Sequence, residues 1–277
     1  MKPTELVREI ESRLKDLGVM TKKARSSAEV IEYLKFMGHF HRYSFHNTLS
    51  IWLHCPHASQ VAGYKTWQKL GRFVKKGERG IPILAPCIVK RTIVDEGGNE
   101  EEVAHTSFKV TYVFDVSQTD GKPLPEAPIT ASGDGRGLLP ILEEIAKGKG
   151  IACEYRTLHG DHHGTSYGGR IEIDDRFDEA GKVSVITHEL AHELLHRGPE
   201  GAGLTREQKE IEAEAVAFVV CSHFKIESSS ANYLALWEIV PEKIVEAFQR
   251  VHRIAAEIIE TVEAALTART EKEGASR

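Results

Sequence analysis

The sequence lacks any apolar run long enough to cross a bilayer. The best candidate, "AVAFVVC" at residues 215–221, is far shorter than the roughly 20 residues that a membrane helix needs. The N-terminal stretch "MKPTELVREIESRLKDLG" is a charged amphipathic pattern without the apolar segment of a secretory signal. We therefore expect a globular protein with no membrane partner.

Closely spaced cysteines are also lacking. The four cysteines, Cys55, Cys87, Cys153 and Cys221, stand far apart and form no CxxC motif. Disulfides are typical of secreted proteins and rare in the cytosol. We expect reduced thiols and a cytoplasmic location.

What the sequence does have is an uneven distribution of charge. The chain of 277 residues carries 36 Lys and Arg against 41 Asp and Glu, a net charge of −5. Residues 1–91 alone hold 17 Lys and Arg against 7 Asp and Glu, a net of +10, so the remainder carries −15. This split predicts a basic binding half and an acidic half with another task.

A segment rich in proline, glycine, serine and aspartate divides the chain. It reads "SQTDGKPLPEAPITASGDGRG", covers residues 117–137 and has the composition of a linker. We place a boundary inside it, which gives domains at 1–127 and 128–277. Apolar periodicity predicts helices near 3–17, 27–39, 44–54, 64–70, 137–150, 181–196, 206–224, 229–238 and 241–267.

Strand-like runs occur in both predicted domains. "IPILAPCIVKRTIV" and "SFKVTYVFDV" predict a hairpin in the first domain. "IACEYRTL" and "SYGGRIEID" predict two strands in the second, with "RIEID" as an edge strand. The expected fold class is α+β, with a mixed first domain and a mostly helical second domain that has a small β-sheet. A heptad-like apolar stripe after Pro241 favours a seam within the chain over a dimer interface.

The segment "HELAH" at residues 188–192 carries the strongest chemical signal. On a helix, His188 and His192 lie on one face about 6 Å apart along the axis, so both imidazoles can reach one Zn²⁺. Glu189 follows the first ligand, where the general base of a metallopeptidase belongs. The alternative is a helix with surface histidines. The spacing favours a zinc-dependent hydrolase.

The third ligand must come from another helix. His196 lies about 12 Å from His188 along the axis, too far to share an ion, and is expected to be a helix-end residue favoured by the dipole. A capping box of Thr205 and Gln208 starts a following helix. Glu214 falls at the edge of its buried stripe, where a carboxylate is costly without a partner. We predict Glu214 as the ligand, with Glu210 in reserve and a fourth position open for water.

Two tyrosines are candidates for stabilising the oxyanion of peptide hydrolysis, Tyr167 and Tyr233. The positions of the two tyrosines in the sequence do not favour one over the other. The neighbouring stretch "LHGDHHGTSYGG" at residues 158–169 is expected to be a hairpin loop rather than a metal site. A substrate peptide could then add to the strand "RIEID".

Cations alternate with aromatic residues in "HFHRYSFHNTLSIWLH" and "GYKTWQKLGRFVKKGERG". This pattern suits single-stranded nucleic acid, because cations follow the phosphates and rings stack on bases. The alternative places Trp52 and Trp67 in the core and the lysines on a solvated face. The candidate DNA-binding residues are Arg42, Asn47, Tyr64, Lys65, Trp67, Lys69, Arg72, Lys75, Lys76 and Arg79.

Several motifs resemble a known family. "YSFHNTLSIWL", "AGYKTWQKLGRFVKKGERGIPILAP" and "YVFDVSQTDGKPLP" resemble the N-terminal domain of ArdC antirestriction proteins, which implies single-stranded-DNA binding around Asn47, Tyr64, Trp67 and Lys76. "THELAHELLH", "EAEAVAF" and "ANYLALW" resemble the zincin-like metallopeptidase domain of ArdC. The first two also resemble the ImmA/IrrE peptidases. The stretch "HGDHHGTSYGGRIEID" departs from the usual ArdC sequence.

The leading hypothesis is a cytoplasmic zinc metallopeptidase of gluzincin-like type, joined to a single-stranded-DNA-binding domain. The resemblance implies a mobile-element protein that protects incoming DNA, with an unidentified protein substrate such as a repressor or a restriction component. Mn²⁺ or Fe²⁺ could replace zinc in a site of two histidines and a glutamate. One alternative is an ImmA/IrrE-like peptidase that cleaves a transcriptional repressor. The other is a DNA-binding shield whose metal is structural and which needs no proteolysis.

Overall fold

A computed structural model describes residues 1–20, 26–94, 100–124, 137–158, 163–226 and 241–275. In chain order its helices and strands are α1 (Pro3–Met20), α2 (Ser26–His39), α3 (Phe45–His54), β1 (Val61–Gly63), α4 (Tyr64–Lys69), β2 (Arg72–Val74), β3 (Ile81–Val94), β4 (Glu100–Asp115), β5 (Thr119–Gly121), α5 (Leu139–Gly148), β6 (Ala152–Arg156), β7 (Gly164–Ser166), β8 (Arg170–Asp174), α6 (Glu179–Ala191), α7 (Arg206–His223) and α8 (Pro241–Ala275). Helices and three small sheets coexist, so the α+β fold class is confirmed.

The helices predicted from periodicity are found within a few residues of their expected bounds, apart from the ends of α1 and α8, which extend further. The helix expected at 229–238 lies outside the described residues. The four cysteines are free thiols, as predicted.

The chain divides into two compact units. Unit 1 comprises Met1–Arg13 and His46–Pro125, and unit 2 comprises Leu14–Phe45 and Glu126–Arg277. Residues 14–45, which the sequence assigned to the first domain, group with unit 2 because α2 packs on α7 and α8. The ring of Tyr33, for example, lies 5.5 Å from that of Phe248.

Unit 1 is built on the long antiparallel hairpin of β3 and β4, with β1 on the far side of β4. A second, two-stranded sheet pairs β2 with β5. The buried carboxylate of Asp115 accepts hydrogen bonds from the backbone N–H groups of Ser59, Gln60 and Ser117. This one side chain therefore ties the end of β4 to the loop before β1.

Unit 2 contains a three-stranded sheet in the order β6-β8-β7. The prediction that "RIEID" forms an edge strand is wrong, because β8 pairs with β6 on one side and with β7 on the other. The physical reason is a turn that the single-strand interpretation of "SYGGRIEID" missed. Gly168 and Gly169 adopt positive φ angles of 80° and 87°, which favour glycine, and they fold β7 back onto β8.

The helices of unit 2 pack around α7, which contacts α2, α6 and α8. The apolar stripe of α8 is buried within the chain, as the seam interpretation predicted. Its fully buried members include Ile244, Phe248, Val251, Ala255, Ile258 and Val262. Because α7 is covered on several sides, even its polar residues need partners inside the unit.

Candidate metal centre

Helix α6 carries the histidine pair. Its first turn is capped by Asp178, whose carboxylate accepts a hydrogen bond from the N–H of Gly181 at 2.8 Å. Val183, Ile186 and Leu190 bury one face of the helix, which leaves the histidines on another face. The chain then changes to one π-helical turn at His192–His196, a distortion that often marks functional sites.

Three ligand atoms converge at this face. The Nε2 atoms of His188 and His192 lie 3.1 Å apart, and the Oε2 atom of Glu210 lies 3.5 Å from each. Tetrahedral ligands with bonds near 2.0–2.1 Å stand about 3.3 Å apart. The three atoms therefore match the spacing of one face of a metal-coordination tetrahedron, and two nitrogens and one carboxylate oxygen suit Zn²⁺ or a similar divalent ion.

Glu214, the predicted third ligand, contacts a different atom of the histidine. Its Oε2 atom lies 3.1 Å from Nδ1 of His188, on the other side of the ring from Nε2. Its Oε1 atom is buried and has no hydrogen-bond partner among the described residues. The carboxylate oxygen that faces both Nε2 atoms therefore belongs to Glu210, the reserve candidate, while Glu214 contacts the nitrogen on which carboxylates support metal-bound histidines. The choice between the two ligands stays a prediction.

Glu189 lies beside the donor triangle and is 6% exposed. Burial, together with the carboxylates of Glu210 and Glu193, raises its pKa to about 7 against the opposing effect of His188. Among the described residues, none donates a hydrogen bond to this carboxylate. A carboxylate with a pKa near neutrality can both accept and return a proton, as a general base requires.

His196 does more than end the helix. Its Nδ1 atom lies 3.0 Å from Nδ1 of His192, and its Nε2 atom lies 3.4 Å from the buried carboxylate of Glu212. Glu212 also accepts hydrogen bonds from the guanidinium of Arg250. Burial lowers the pKa of His196, which favours the neutral ring. A neutral imidazole has one donor and one acceptor nitrogen, so it can link His192 to Glu212. The sequence interpretation missed Glu212 and Arg250.

Strand β7 runs past the general-base candidate. A Cβ atom placed on Gly164 would lie 2.9 Å from Oε1 of Glu189 and 2.6 Å from Cγ1 of Val185, so only glycine fits there without a shift. The turn after β7 is fixed by Glu193, which accepts hydrogen bonds from the N–H groups of Gly168 and Gly169. Within the described residues β7 pairs only with β8, and the carbonyl of Ser166 accepts a hydrogen bond from the guanidinium of Arg197.

The two oxyanion candidates stay predictions. The hydroxyl of Tyr167 donates to Glu172 at 3.1 Å, and the guanidinium of Arg170 stacks on its ring. Tyr233 lies outside the described residues, as do His159, Asp161 and His162. His163 packs edge-on against Phe177.

Two of the predicted DNA-binding residues hold unit 1 together. The side-chain amide of Asn47 exchanges two hydrogen bonds with the backbone of Leu84, so it is already used. Trp67 is 2% exposed, and its indole N–H donates to the carbonyl of Phe114. The position of Trp67 matches the alternative that placed this ring in the core. Neither Asn47 nor Trp67 presents a free polar group to solvent.

The predicted cations fall into two groups. Arg72 and Lys75 donate to backbone carbonyls of unit 1, at Thr119 and Ser117 respectively. Arg42 belongs to unit 2 and pairs with Glu263 at 2.8 Å. The other predicted DNA-binding side chains of unit 1 are exposed without such a contact to a backbone carbonyl, namely those of Tyr64, Lys65, Lys69, Lys76 and Arg79.

Unit 1 also exposes aromatic rings outside the predicted set. Phe73, which alternates with the predicted cations, is 57% exposed, and Phe108 and Tyr112, which the sequence interpretation missed, are 55% and 53% exposed. Phe108 and Tyr112 lie four positions apart on β4, so they share one face of the sheet. The signal was the alternation in "SFKVTYVFDV". Exposed rings beside exposed cations are typical of surfaces that stack on unpaired bases.

Two models of known protein families match successive parts of the chain. The model of the N-terminal domain of the anti-restriction factor ArdC matches residues 4–114. The model of the IrrE N-terminal-like domain, a peptidase family, matches residues 152–268. No helix of the described residues is long and apolar enough to cross a membrane.

Two uncharacterized proteins are similar in sequence. One, from Bacillus anthracis, is 27% identical over 95% of this chain and 53% of its own length, so the chain spans about half of that relative. The other, from Sinorhizobium fredii, is 26% identical over 69% of this chain and 68% of its own length.

Among solved structures, the chain is similar to the metal-free antirestriction protein ArdC from plasmid R388. That match has a TM-score of 0.50 and 20% identity, and covers 80% of this chain and 86% of the other. A Mn(II)-bound structure of the same protein matches with a TM-score of 0.46 and 18% identity, and covers 79% of this chain and 89% of the other. The chain is thus ArdC-like in its organisation, because a match to the ArdC N-terminal domain is followed by a match to the IrrE N-terminal-like domain.

Proposed function

We propose that this protein is a metal-dependent peptidase of antirestriction type that also binds single-stranded DNA. The observation that carries the peptidase part is the convergence of His188, His192 and Glu210, with the buried Glu189 beside them. The proposed organisation keeps the DNA-binding part within residues 1–127 and the peptidase part within residues 128–277.

The donor set fits a divalent metal. Two imidazole nitrogens and one carboxylate oxygen lie at coordination spacing, and the second nitrogen of each ring is held by another side chain. We propose Zn²⁺ as the cofactor, with Mn²⁺ or Fe²⁺ as substitutes. When bound, such an ion acts as a Lewis acid and lowers the pKa of water.

The chain's own residues would supply the rest of the chemistry. Glu189, buried beside the three donor atoms, would take a proton from the attacking water and return it to the leaving amine. An extended substrate segment would add to the outer edge of β7, because β7 runs beside Glu189, and Arg197 would first have to release the carbonyl of Ser166. Tyr167 or Tyr233 would stabilise the oxyanion, and Tyr167 would first have to release Glu172.

The DNA-binding part rests on the exposed side of unit 1. The exposed rings of Tyr64, Phe108 and Tyr112 would stack on bases, and the exposed cations Lys76 and Arg79 would follow the phosphates. Stacking on unpaired bases needs no particular sequence. We therefore propose sequence-tolerant binding of single strands.

The peptidase proposal is tested with the zinc-loaded full chain and a proteome-derived peptide library. The expected result is a set of cleavages, detected by mass spectrometry, that disappears in Glu189→Gln. The variant must still bind one equivalent of metal at this centre, because Glu189 is not a ligand in the proposal. Identical cleavage by both proteins, or no cleavage by either, would contradict the proposal.

A second candidate is a DNA shield that needs no proteolysis. The exposed rings Phe73, Phe108 and Tyr112 favour it, since a protein that coats single strands requires such a surface. Protection of incoming DNA from restriction is measured in cells that express wild type or Glu189→Gln. Equal protection would favour the shield, and loss of protection would favour a required peptidase.

The protein that would be cleaved is a separate question. The resemblance of the sequence to the ImmA/IrrE peptidases makes a transcriptional repressor one candidate substrate, and a restriction component is the other. Mass spectrometry of cells that express wild type or Glu189→Gln would identify the proteins cut only by the wild type.

A further inference from the structure

A second cluster of metal-ligating side chains lies in unit 2, apart from the centre on α6. His41 follows the end of α2, His223 is the last residue of α7, and Glu263 lies in α8. One ligand atom from each lies within 4.8 Å of the other two. None of these residues has a role in the proposed peptidase reaction.

The distances within the cluster resemble those of a coordination shell. The Nε2 atom of His223 lies 3.0 Å from Oε1 of Glu263. The Nε2 atom of His41 lies 3.5 Å from Oε2 of the same carboxylate. Both values are close to the separation of about 3.3 Å between ligands of a tetrahedral ion with bonds near 2.0–2.1 Å.

Both imidazoles are oriented by the same backbone group. The carbonyl oxygen of Gly38 accepts from Nδ1 of His41 at 2.9 Å and from Nδ1 of His223 at 3.0 Å. This carbonyl is one of the last four of α2 and therefore has no partner in its own helix. Because a carbonyl only accepts, each Nδ1 carries a hydrogen, and each neutral ring directs the lone pair of Nε2 toward Glu263. Metal-bound histidines are held in this way.

Without a cation, the cluster places hydrogen-bond acceptors opposite one another. His41 is 6% exposed, and its Nε2 atom is buried without a hydrogen-bond partner. In the neutral state the lone pairs of both rings face a carboxylate, and an unsatisfied buried acceptor is costly. If both rings were protonated instead, two imidazolium groups with centroids 5.0 Å apart and the guanidinium of Arg42 would share one carboxylate.

We propose that His41, His223 and Glu263 form a second divalent-metal site, which takes Zn²⁺ and clamps the end of α2 to α7 and α8. Two nitrogens and one oxygen suit zinc. The guanidinium of Arg42 is bound to Glu263 and is 73% exposed, so it can swing into solvent when the ion enters. Arg42 competes with the ion for the carboxylate.

The test counts metal equivalents in the full chain. In the double variant His188→Ala/His192→Ala, which removes the first centre, the chelator-stripped protein should still bind one equivalent of Zn²⁺ by calorimetry and elemental analysis. Adding Glu263→Gln or His41→Ala to this background should remove that equivalent. His105→Ala is the matched control, because His105 is exposed in unit 1, and it should leave the equivalent in place.

A second readout does not depend on the first-centre variants. The otherwise wild-type chain should bind two equivalents and His41→Ala one. Zn²⁺ should raise the melting temperature of the first-centre double variant, and Arg42→Ala should tighten its zinc binding several-fold. Absence of zinc binding in the double variant, if the wild type binds only one equivalent, would overturn the proposal and leave a protonated His223–Glu263 pair. Retention of this zinc equivalent in both the Glu263→Gln and the His41→Ala variants would also overturn the proposal.

Discussion

At the candidate metal centre of unit 2 both histidines are largely buried and held by partners, and Glu210 is half-exposed, whereas most cations proposed to bind DNA in unit 1 extend into solvent. At the metal centre, each histidine uses one nitrogen toward the ion position and the other toward a supporting side chain. On unit 1, Lys65, Lys69 and Lys76 are exposed. A buried polar group must be satisfied, so its neighbours indicate its chemistry. An exposed lysine indicates only the sign of the charge it attracts.

The largest expected effect distinguishes two glutamates of α7, Glu210 and Glu214. Glu210→Gln should weaken metal binding more than Glu214→Gln, for which the loss of an orienting hydrogen bond costs roughly 10- to 100-fold. The reason is that Glu210 faces Nε2 of both histidines, while Glu214 faces Nδ1 of one. Calorimetry with Zn²⁺ measures both, in a Glu263→Gln background to isolate this centre. The reverse order would make Glu214 the ligand, as the sequence predicts.

The exposed surface of unit 1 is tested by removing a ring and a charge separately. Tyr112→Ala should weaken binding to a fluorescent oligo-dT strand by about 1–3 kcal/mol, the usual value of one stacked base. Lys76→Ala should reduce the slope of log K against log salt by about 0.7, as one lost phosphate contact does for a single strand. Unchanged binding in Tyr112→Ala would exclude this face as the DNA-binding surface.

Asn47→Ala is expected to lower the melting temperature, because the side-chain amide of Asn47 supports β3.

The close approach of β7 to α6 gives a smaller but specific effect. Gly164→Ala should destabilise the fold by about 1–3 kcal/mol, as overpacking does, and should reduce cleavage because the new methyl group displaces the Glu189 carboxylate. The matched control is Gly148→Ala, where an added Cβ meets nothing within 4 Å. Urea unfolding and the peptide assay measure both variants. Equal behaviour would show that β7 does not confine Glu189.

The smallest expected effect concerns a buried carboxylate of unit 1 that has no role in the proposed chemistry. Burial raises the pKa of Asp115, but hydrogen bonds from Ser117, Ser59 and Gln60 outweigh it, so the pKa is lowered. A lowered folded-state pKa stabilises the fold above the unfolded value of about 3.9 and less as the pH falls below it. Asp115→Asn should therefore cost about 1 kcal/mol at pH 7, and the difference should shrink toward pH 3. Urea unfolding at both pH values measures it, and a constant difference would contradict the role of the charge.

The sequence predicts elements better than it predicts contacts between them. Helical periodicity located α6 and α7, and HExxH spacing placed His188 and His192 on one face, because both depend on local geometry. The edge strand was wrong because the positive φ angles at Gly168 and Gly169 turn one apparent strand into two. The grouping of residues 14–45 with unit 2 depends on long-range packing that periodicity does not encode.

The third ligand stays a prediction, because the choice between Glu214 and Glu210 depends on contacts between helices. A helical wheel places Glu214 near the buried stripe, but α7 is covered by three helices, so several of its carboxylates face protein. Glu212, the most buried of them, pairs with Arg250 and His196 instead. A carboxylate of α7 can face either nitrogen of a histidine on α6. The outcome depends on the directions of side chains on both helices, and the sequence does not specify these directions.

The central claim is that one divalent ion is held by Nε2 of His188, Nε2 of His192 and a carboxylate oxygen of Glu210. The most direct measurement is anomalous scattering at the zinc edge from crystals of the zinc-loaded full chain. We predict a peak about 2.0–2.2 Å from all three atoms, with Glu214 on Nδ1 of His188. The absence of a peak between the two Nε2 atoms, or an ion bound by Glu214 with Glu210 turned away, would contradict the claim.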